Sequence, residues 1–239
     1  MRKGAAGMRL RKWEDLPPFM QWEEVRPYYN ILARKQAQLK LKRGFDVLMA
    51  AVLLIILALP MLIIAIMIKA DSPGPVFYRQ ERVTAYGRKF RIHKFRTMVN
   101  HADKIGSAVT VDRDARITKV GARLRDLRLD ELPQLFDVLA GDMSFVGTRP
   151  EAVKYVEKYT KEMYATLLLP AGITSEASIR YKDEAALLDA AADIDKTYVE
   201  QILPGKMRHN LKSLRKFSLI GEAITMFRTI LAVLGKEYK

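Results

Sequence analysis

The chain of 239 residues contains no cysteine. That removes a disulfide framework, a thiol nucleophile and a cysteine metal site together. Histidine is scarce: His93, His101 and His209 are the three, and no two are spaced as metal ligands. Each reads as an ordinary surface or satisfied side chain, which disfavours a histidine-centred triad. There is no internal repeat and no low-complexity tract. Acidic residues are outnumbered, 27 Asp/Glu against 41 Lys/Arg, for a formal net charge of +14. Such a surplus calls for an anionic partner: nucleic acid, anionic lipid or phosphorylated small molecules. The length suits one sizeable domain with attachments.

The positive charge is concentrated. Residues 79–128 hold fourteen Lys/Arg against five Asp/Glu, and the run ends on two adjacent carboxylates, Asp130 and Glu131. Pro133 follows at once. Proline is tolerated in the first turn of a helix, where the N–H groups have no intrahelical partner. The spacing therefore predicts a helix starting near Asp130 and ending at Gly141 as its C′ residue. A helix N-terminus carries partial positive charge and free N–H groups, which suit a carboxylate or a phosphate. Taken alone, Asp130 would be an ordinary capping residue and Glu131 a first-turn acid.

Long uncharged runs are also rare here, with one exception. Val47 to Ile68 is 22 residues without a charge, long enough as a straight helix to cross a hydrocarbon core of roughly 30 Å. A buried soluble helix is the competing reading. Pro60 interrupts the run and leaves the carbonyl of Ile56 without its N–H partner, so a kink is expected. Both flanks are basic, with Lys40, Lys42 and Arg43 before and Lys69 after, and basic flanks favour the cytoplasmic side. A hairpin entering and leaving by one face satisfies both flanks.

The rest of the chain arranges itself around these stretches. Residues 1–43 carry eleven Lys/Arg against four acids, with Trp13, Phe19 and Trp22 interleaved. This suits either an interfacial arm on anionic lipid or an arm packing its aromatics on the core. Helical spacing runs from about Glu23 to Lys42. Asp71 to Pro75 is a turn. Strands are expected at 76–80 and 89–96 around a turn at Ala85-Tyr86-Gly87, which places Lys94 and Arg96 on one face and Phe95 on the other. Residues 97–104 read as helix, 105–116 as a loop, Ile117 to Arg128 as an arginine-rich helix, 151–168 as a helix behind Pro150, 170–174 as a turn, and Asp183 to Leu203 as a helix. Lys206 to Leu234 reads as an amphipathic helix that fits a membrane interface or, equally, a core contact with a solvated basic face. The fold class expected is α+β: a mostly helical, membrane-associated domain with a small β-hairpin, a Pro60-kinked re-entrant membrane helix and amphipathic interfacial helices. The expected divisions are 1–43, an N-terminal extension; 44–70, the re-entrant helix; 71–205, a catalytic domain; and 206–239, a C-terminal amphipathic helix.

Five motifs in order carry a resemblance: Gly74-Pro75-Val76-Phe77, Lys94-Phe95-Arg96-Thr97-Met98, Leu129-Asp130-Glu131-Leu132-Pro133-Gln134-Leu135, Gly141-Asp142-Met143-Ser144-Phe145-Val146-Gly147 and Arg149-Pro150, all behind an apolar run broken by proline. Over residues 40–175 the chain resembles the bacterial sugar transferase family, the monotopic phosphoglycosyl transferases. The resemblance implies an enzyme on the cytoplasmic face of the bacterial inner membrane, held in its lipid by a re-entrant helix. It implies transfer of a sugar 1-phosphate from a UDP-sugar to undecaprenyl phosphate, with Mg²⁺ required, to start a surface glycan such as capsule, exopolysaccharide or O-antigen. It makes Asp130 the covalent nucleophile, which shares Mg²⁺ with the substrate diphosphate, and Glu131 an acid/base on the acceptor phosphate. Lys94, Arg96, Arg125 and Arg149 become phosphate ligands. A homodimer is left open. Two positions depart from the family pattern: Thr148 replaces a proline, and Ser175-Glu176 replaces Gly-Trp, so sugar-recognition residues do not transfer. The alternative is a non-catalytic, membrane-anchored protein whose basic face binds anionic lipid or nucleic acid. Such a binder gains nothing from carboxylates at the centre of its basic segment. Nucleic acid is not expected as a partner, because only Tyr86 and Phe90 could serve as stacking aromatics on that face.

Overall fold

Proline, glycine and alternating polarity set the element boundaries. The computed structural model describes residues 8–100, 102, 114–181, 184, 188 and 193–233. Short 3-10 turns at Trp13–Asp15 and Pro18–Met20 lead into α1 (Arg26–Ala33), which carries Pro27 in its first turn. The N-terminal arm packs on the core: Met8, Leu10, Leu16, Met20 and Val25 are buried in one cluster with Tyr155, Leu168, Leu203 and Met207. Trp13 meets Tyr29 edge-on at 5.1 Å and lies under the Arg26 guanidinium. Of the two roles open to these aromatics, Trp13 takes the core-packing one.

The apolar run forms two helices, α2 (Gln36–Ile56) and α3 (Ala58–Asp71), bent by 62° at Leu57. The break falls one turn before Pro60, because the proline ring withholds an N–H from Ile56 and crowds that carbonyl. Helical bonding resumes on each side, with Leu57 N–H donating to Leu53 and Met61 N–H to Leu57, both at 2.8 Å. No single helix among the described residues is long and apolar enough to cross a membrane. One side of the bent pair packs inward. Ala50, Leu53, Leu54 and Leu57 meet Phe90, Ile92, Leu135, Val138 and Met143. Met61, Ile64 and Ile68 meet Phe95 and Leu124. The other side leaves Leu48, Ile55, Ile56, Leu59, Leu62 and Ile66 exposed, Ile55 at 78%.

The basic flank before the run is not free surface. Lys42 and Arg43 are buried together with Asp46. Lys42 Nζ donates to the Val146 carbonyl at 2.9 Å and to Glu222 at 2.8 Å. Arg43 donates to the carbonyls of Val138 (2.7 Å) and Leu139 (3.0 Å). Asp46 accepts from the Ser144 hydroxyl at 2.8 Å. Two of the three charges read as a topological signal therefore bolt the membrane-type helix to the body of the protein.

β1 (Phe77–Val83) and β2 (Lys89–Phe95) form the expected antiparallel hairpin, pairing Tyr78 with Lys94 and Phe77 with Phe95. Residues 97–100 are not helical: Met98 bridges Ile117, and the Thr97 carbonyl accepts from Thr118. Gly121 permits this, since a Cβ there would lie 2.0 Å from the Thr97 carbonyl oxygen. Of the expected loop, 105–113 lies outside the described residues. α4 (Lys119–Asp126) is capped by Thr118, whose hydroxyl accepts from Gly121 N–H at 3.0 Å. α5 (Gln134–Ala140) ends on Gly141 at φ +84°.

The largest differences from expectation follow α5. β3 (Met143–Val146) pairs in parallel with β4 (Ala171–Thr174), the stretch expected as a turn. Its partner lies across α6 (Val153–Val156) and a 3-10 segment at Glu162–Leu168, which together replace the single helix expected over 151–168. Residues 150–152 cannot start a helix because the Glu151 carbonyl is held by Val83 N–H, at the end of β1. After α7 (Glu176–Arg180) the helix expected from Asp183 falls partly outside the described residues. α8 (Ile194–Thr197), a π turn at Tyr198–Ile202, and α9 (Leu203–Arg215) with Pro204 in its first turn follow. α10 (Leu219–Val233) is separate. The expected divisions at 43/44 and 205/206 thus fall inside α2 and α9. The two readings of the C-terminal stretch are split between its helices: α9 buries Met207, Leu211 and Leu214 in the core, whereas α10 is turned inside out. Its polar side faces the protein, through Glu222 to Lys42, Arg228 to Glu176 (2.8 Å) and Thr229 to Thr174 (2.7 Å), while Ile220, Ile224, Phe227 and Ile230 are exposed. The departure at 175–176 has a structural use: Ser175 caps α7 and Glu176 anchors α10.

The β3–β4 pairing depends on two facing glycines. A Cβ on Gly172 would lie 2.2 Å from the Gly147 nitrogen, a backbone atom with no freedom to move away. Gly172→Ala is expected to destabilise the protein by about 3 kcal/mol, measured as a lower midpoint of thermal unfolding, with Ala171→Gly as the milder control.

Candidate active site

Three elements deliver the site. At the end of α4, Arg128 adopts the left-handed conformation (φ +55°) and reverses the chain. A non-glycine residue there costs about 1 kcal/mol, and the sequence gives no sign of it. A 3-10 turn at Leu129–Glu131 follows, and α5 begins only behind Pro133. Asp130 therefore sits one turn ahead of the α-helix, not at its N-cap. β2 supplies Lys94. The loop after β3 supplies Arg149, held in place by the strand pairing on one side, with Gly147 N–H donating to Thr174 and Gly172 N–H to Thr148. On its other side Glu151 is fixed by Val83 N–H and by the Tyr198 hydroxyl at 2.7 Å.

These elements converge on Glu131. Lys94 Nζ donates to its Oε1 at 2.8 Å, Arg149 Nη1 donates to Oε2 at 3.2 Å, and Arg149 Nη2 donates to Oε1. The Glu131 side chain is only 11% exposed. Burial alone would raise its pKa, but the charges of Arg149 and Lys94 outweigh burial and hold the carboxyl well below the usual glutamate value. The Glu131 charge in turn raises Arg149.

Asp130 differs in every respect. It is buried, and among the described residues its carboxyl accepts no hydrogen bond. Burial pushes it above the ordinary aspartate value; Lys94 pulls it down, the Glu131 charge pushes it up, and Arg125 and Arg149 pull it down more weakly. The sequence suggests an Asp130 favoured in its ionised form by a helix terminus; in the structure burial outweighs that. Neighbouring carboxyls pushed in opposite directions are the arrangement by which one site assigns two roles. Arg125 faces Asp130 without an ion pair among the described residues, and burial lowers it.

Arg96 does not join this group. It is buried, and its guanidinium donates to the carbonyls of Ser72 (2.7 Å), Pro73 and Ile68 (3.4 Å), closing the end of α3 and lying against Gly74. β2 ends at Phe95, so the strand alternation that placed Arg96 beside Lys94 no longer applies. Tyr86 and Phe90 offer no stacking platform: Arg11 lies over the Tyr86 ring, and Phe90 is buried. His93 is a satisfied histidine, its Nδ1 2.6 Å from the buried Asp137.

Sequence reasoning missed Gln134. It is buried, and both atoms of its amide lack a partner among the described residues. Its place one turn beyond Asp130, in the stretch richest in motif residues, is the signal that could have found it. No cluster of three or more metal-ligating side chains exists among the described residues. Mg²⁺ needs only one or two carboxylates when substrate phosphates and water complete its octahedron. The buried Asp130 carboxyl, which accepts no hydrogen bond among the described residues, fits that hard-oxygen requirement.

The placement of Arg96 predicts a separation of effects. Arg96→Ala removes three bonds from one cation to helix-end carbonyls and should lower stability by about 2 kcal/mol, read as a drop in the thermal midpoint. Lys94→Ala should instead raise the Glu131 carboxyl, read by the pH dependence of its carboxylate infrared band with Glu131→Gln as the assignment control.

A model of the bacterial sugar transferase family matches residues 37–236. The chain is 38% identical over 198 residues to a UDP-N-acetylgalactosamine-undecaprenyl-phosphate N-acetylgalactosaminephosphotransferase of Aeromonas hydrophila, covering 81% of this chain and 44% of that protein. It is 37% identical to a UDP-glucose:undecaprenyl-phosphate glucose-1-phosphate transferase of Escherichia coli (67% of this chain, 36% of that protein). It is 40% identical to the protein of that name in Caulobacter vibrioides (70% and 62%). The chain thus spans between about a third and two thirds of the length of these relatives. With the five motifs in order and Lys94, Glu131 and Arg149 brought together in space, the chain belongs to the bacterial sugar transferase family.

Proposed function

We propose that the protein is a phosphoglycosyl transferase that moves a sugar 1-phosphate from a UDP-sugar to undecaprenyl phosphate by way of a covalent aspartyl intermediate. The observation that carries this reading is the pair of unlike carboxyls, Asp130 without a hydrogen bond and Glu131 clasped by Lys94 and Arg149, inside a strongly basic segment. In the first step an oxygen of ionised Asp130 attacks the phosphorus that bears the sugar. The new O–P bond forms as the bond to the bridging oxygen breaks, and UMP leaves with the electron pair. In the second step an oxygen of the lipid phosphate attacks the same phosphorus and returns the Asp130 carboxylate. Glu131, once clear of Lys94 and Arg149, can take the proton of the incoming phosphate. Lys94, Arg125 and Arg149 neutralise the diphosphate so that an anion can approach it. Mg²⁺, with Asp130 as its protein ligand, supplies further charge neutralisation when bound.

Membrane placement supports the lipid half of the reaction. Large apolar side chains on the outer side of α2 and α3, among them Leu48, Ile55 and Leu59, and on α10, among them Ile220 and Phe227, are exposed. Each is worth about 1.5–3 kcal/mol on transfer to an apolar environment. We read the bent pair as a re-entrant hairpin and α10 as an interfacial helix, both on the cytoplasmic side of the inner membrane. The product would begin a surface glycan. The absence of cysteine makes the sidedness directly measurable: single cysteines at exposed Lys40 and Lys119 should react with an impermeant thiol reagent only from the cytoplasmic side. Labelling from opposite faces would replace the hairpin with a spanning helix.

The chemical reading is tested without acceptor. Enzyme mixed with Mg²⁺ and either UDP-glucose or UDP-N-acetylgalactosamine should release UMP to a limit of one per enzyme molecule and gain the mass of a glycosyl phosphate. Asp130→Asn should abolish both signals. A normal rate of lipid product formation with no adduct, and kinetics requiring both substrates bound together, would replace the two-step scheme with direct transfer.

A further inference from the structure

Lys94 and Arg149 are the two cations nearest the reacting groups, and both are already bound to Glu131. Arg149 holds that carboxylate with two N–H groups, the forked geometry it would equally use for two phosphate oxygens. A diphosphate brought to these cations with Glu131 still in place would set several like charges within a few ångströms of one another, which disfavours the complex. We infer that the Glu131 carboxylate is an internal stand-in for a donor phosphate: it occupies the Lys94–Arg149 clasp in the free protein and is displaced when the diphosphate arrives. This rests on the phosphoryl-transfer reading above and adds an order of events to it. Glu131 is unavailable as a base until the donor has entered, and it is released beside Asp130 at the moment a carboxylate is needed for the second step. The clasp stays neutralised in both states, first by the glutamate and then by the phosphate, so neither half-buried cation is left without a counter-charge.

The rival reading leaves Glu131 in place as a permanent prop, with phosphate taking the remaining N–H groups of Lys94 and Arg149. Relief of repulsion would tighten anion binding in either reading, so the wild-type Glu131 carboxylate infrared band is followed as pyrophosphate is added: it shifts if the clasp opens, and an unshifted band at saturating pyrophosphate makes Glu131 the permanent prop and overturns the stand-in role. The probe is inorganic pyrophosphate without divalent cation, titrated calorimetrically into the purified full chain. If Glu131 competes for the clasp, Glu131→Gln should bind pyrophosphate about tenfold tighter or better, a step of about 1.4 kcal/mol, and adding Arg149→Ala should abolish the gain. Glu131→Gln leaves two half-buried cations unmatched and will unfold at lower temperature, so the thermal midpoint is read as well. Pyrophosphate should raise it more in the variant than in the wild type. Glu131→Asp, which keeps the charge on a shorter arm, should fall between the two. Equal or weaker binding by folded Glu131→Gln and Glu131→Asp overturns the stand-in role while leaving the phosphate site standing. Failure of pyrophosphate to bind any form, with Arg149→Ala indistinguishable from wild type, overturns the phosphate site itself and the stand-in role with it.

Discussion

A carboxylate, an ammonium and a guanidinium from three separate elements meet at Glu131, and the local architecture serves that meeting. β2 ends one residue after Lys94 so that Arg96 can turn away and close α3. Arg128 accepts a left-handed backbone so that the two carboxyls can precede α5 in a tight turn. Two glycines in contact let β3 and β4 pair closely enough to carry Arg149 across to Glu131. Removing any partner of such a buried cluster leaves an unmatched charge, which costs far more than an intact pair contributes. Charge balance at one glutamate therefore constrains the path of roughly sixty residues.

The same cluster explains how one short stretch can hold two carboxyls whose acidities are pushed in opposite directions. Glu131 has two cations in contact and stays ionised; Asp130 has burial and the neighbouring negative charge against it, and cations that attract it without a hydrogen bond among the described residues. A divalent cation or an added phosphate would change the balance at both.

The membrane-type helix is coupled to this site more firmly than its apolar sequence suggests. Arg43 binds the carbonyls at the end of α5, the helix that starts beside Asp130 and Glu131, and Lys42 and Asp46 bind β3. Charged residues near a membrane segment usually report topology. Here they also transmit position, since displacement of α2 would drag both α5 and β3. The exposed apolar side of α2 is thus joined, through buried polar bonds, to the elements that flank Asp130 and Glu131.

Much of this was legible in the sequence because it is local. The hairpin follows from alternation around Ala85-Tyr86-Gly87, the end of α5 from Gly141, and the break in the apolar run from Pro60. Each rests on interactions within a few residues. The parallel β3–β4 pair, the interrupted helix behind Pro150, the burial of Lys42 and Arg43, the inverted polarity of α10 and the withdrawal of Arg96 were not legible. Each depends on a partner 24 to more than 100 residues away, and a chain met one residue at a time does not show which distant group will satisfy a buried charge or carbonyl. Residue types determined that phosphate chemistry could occur. Only the tertiary structure decided which cations Glu131 would hold, because charge compensation in a buried site is a property of what is brought together in space.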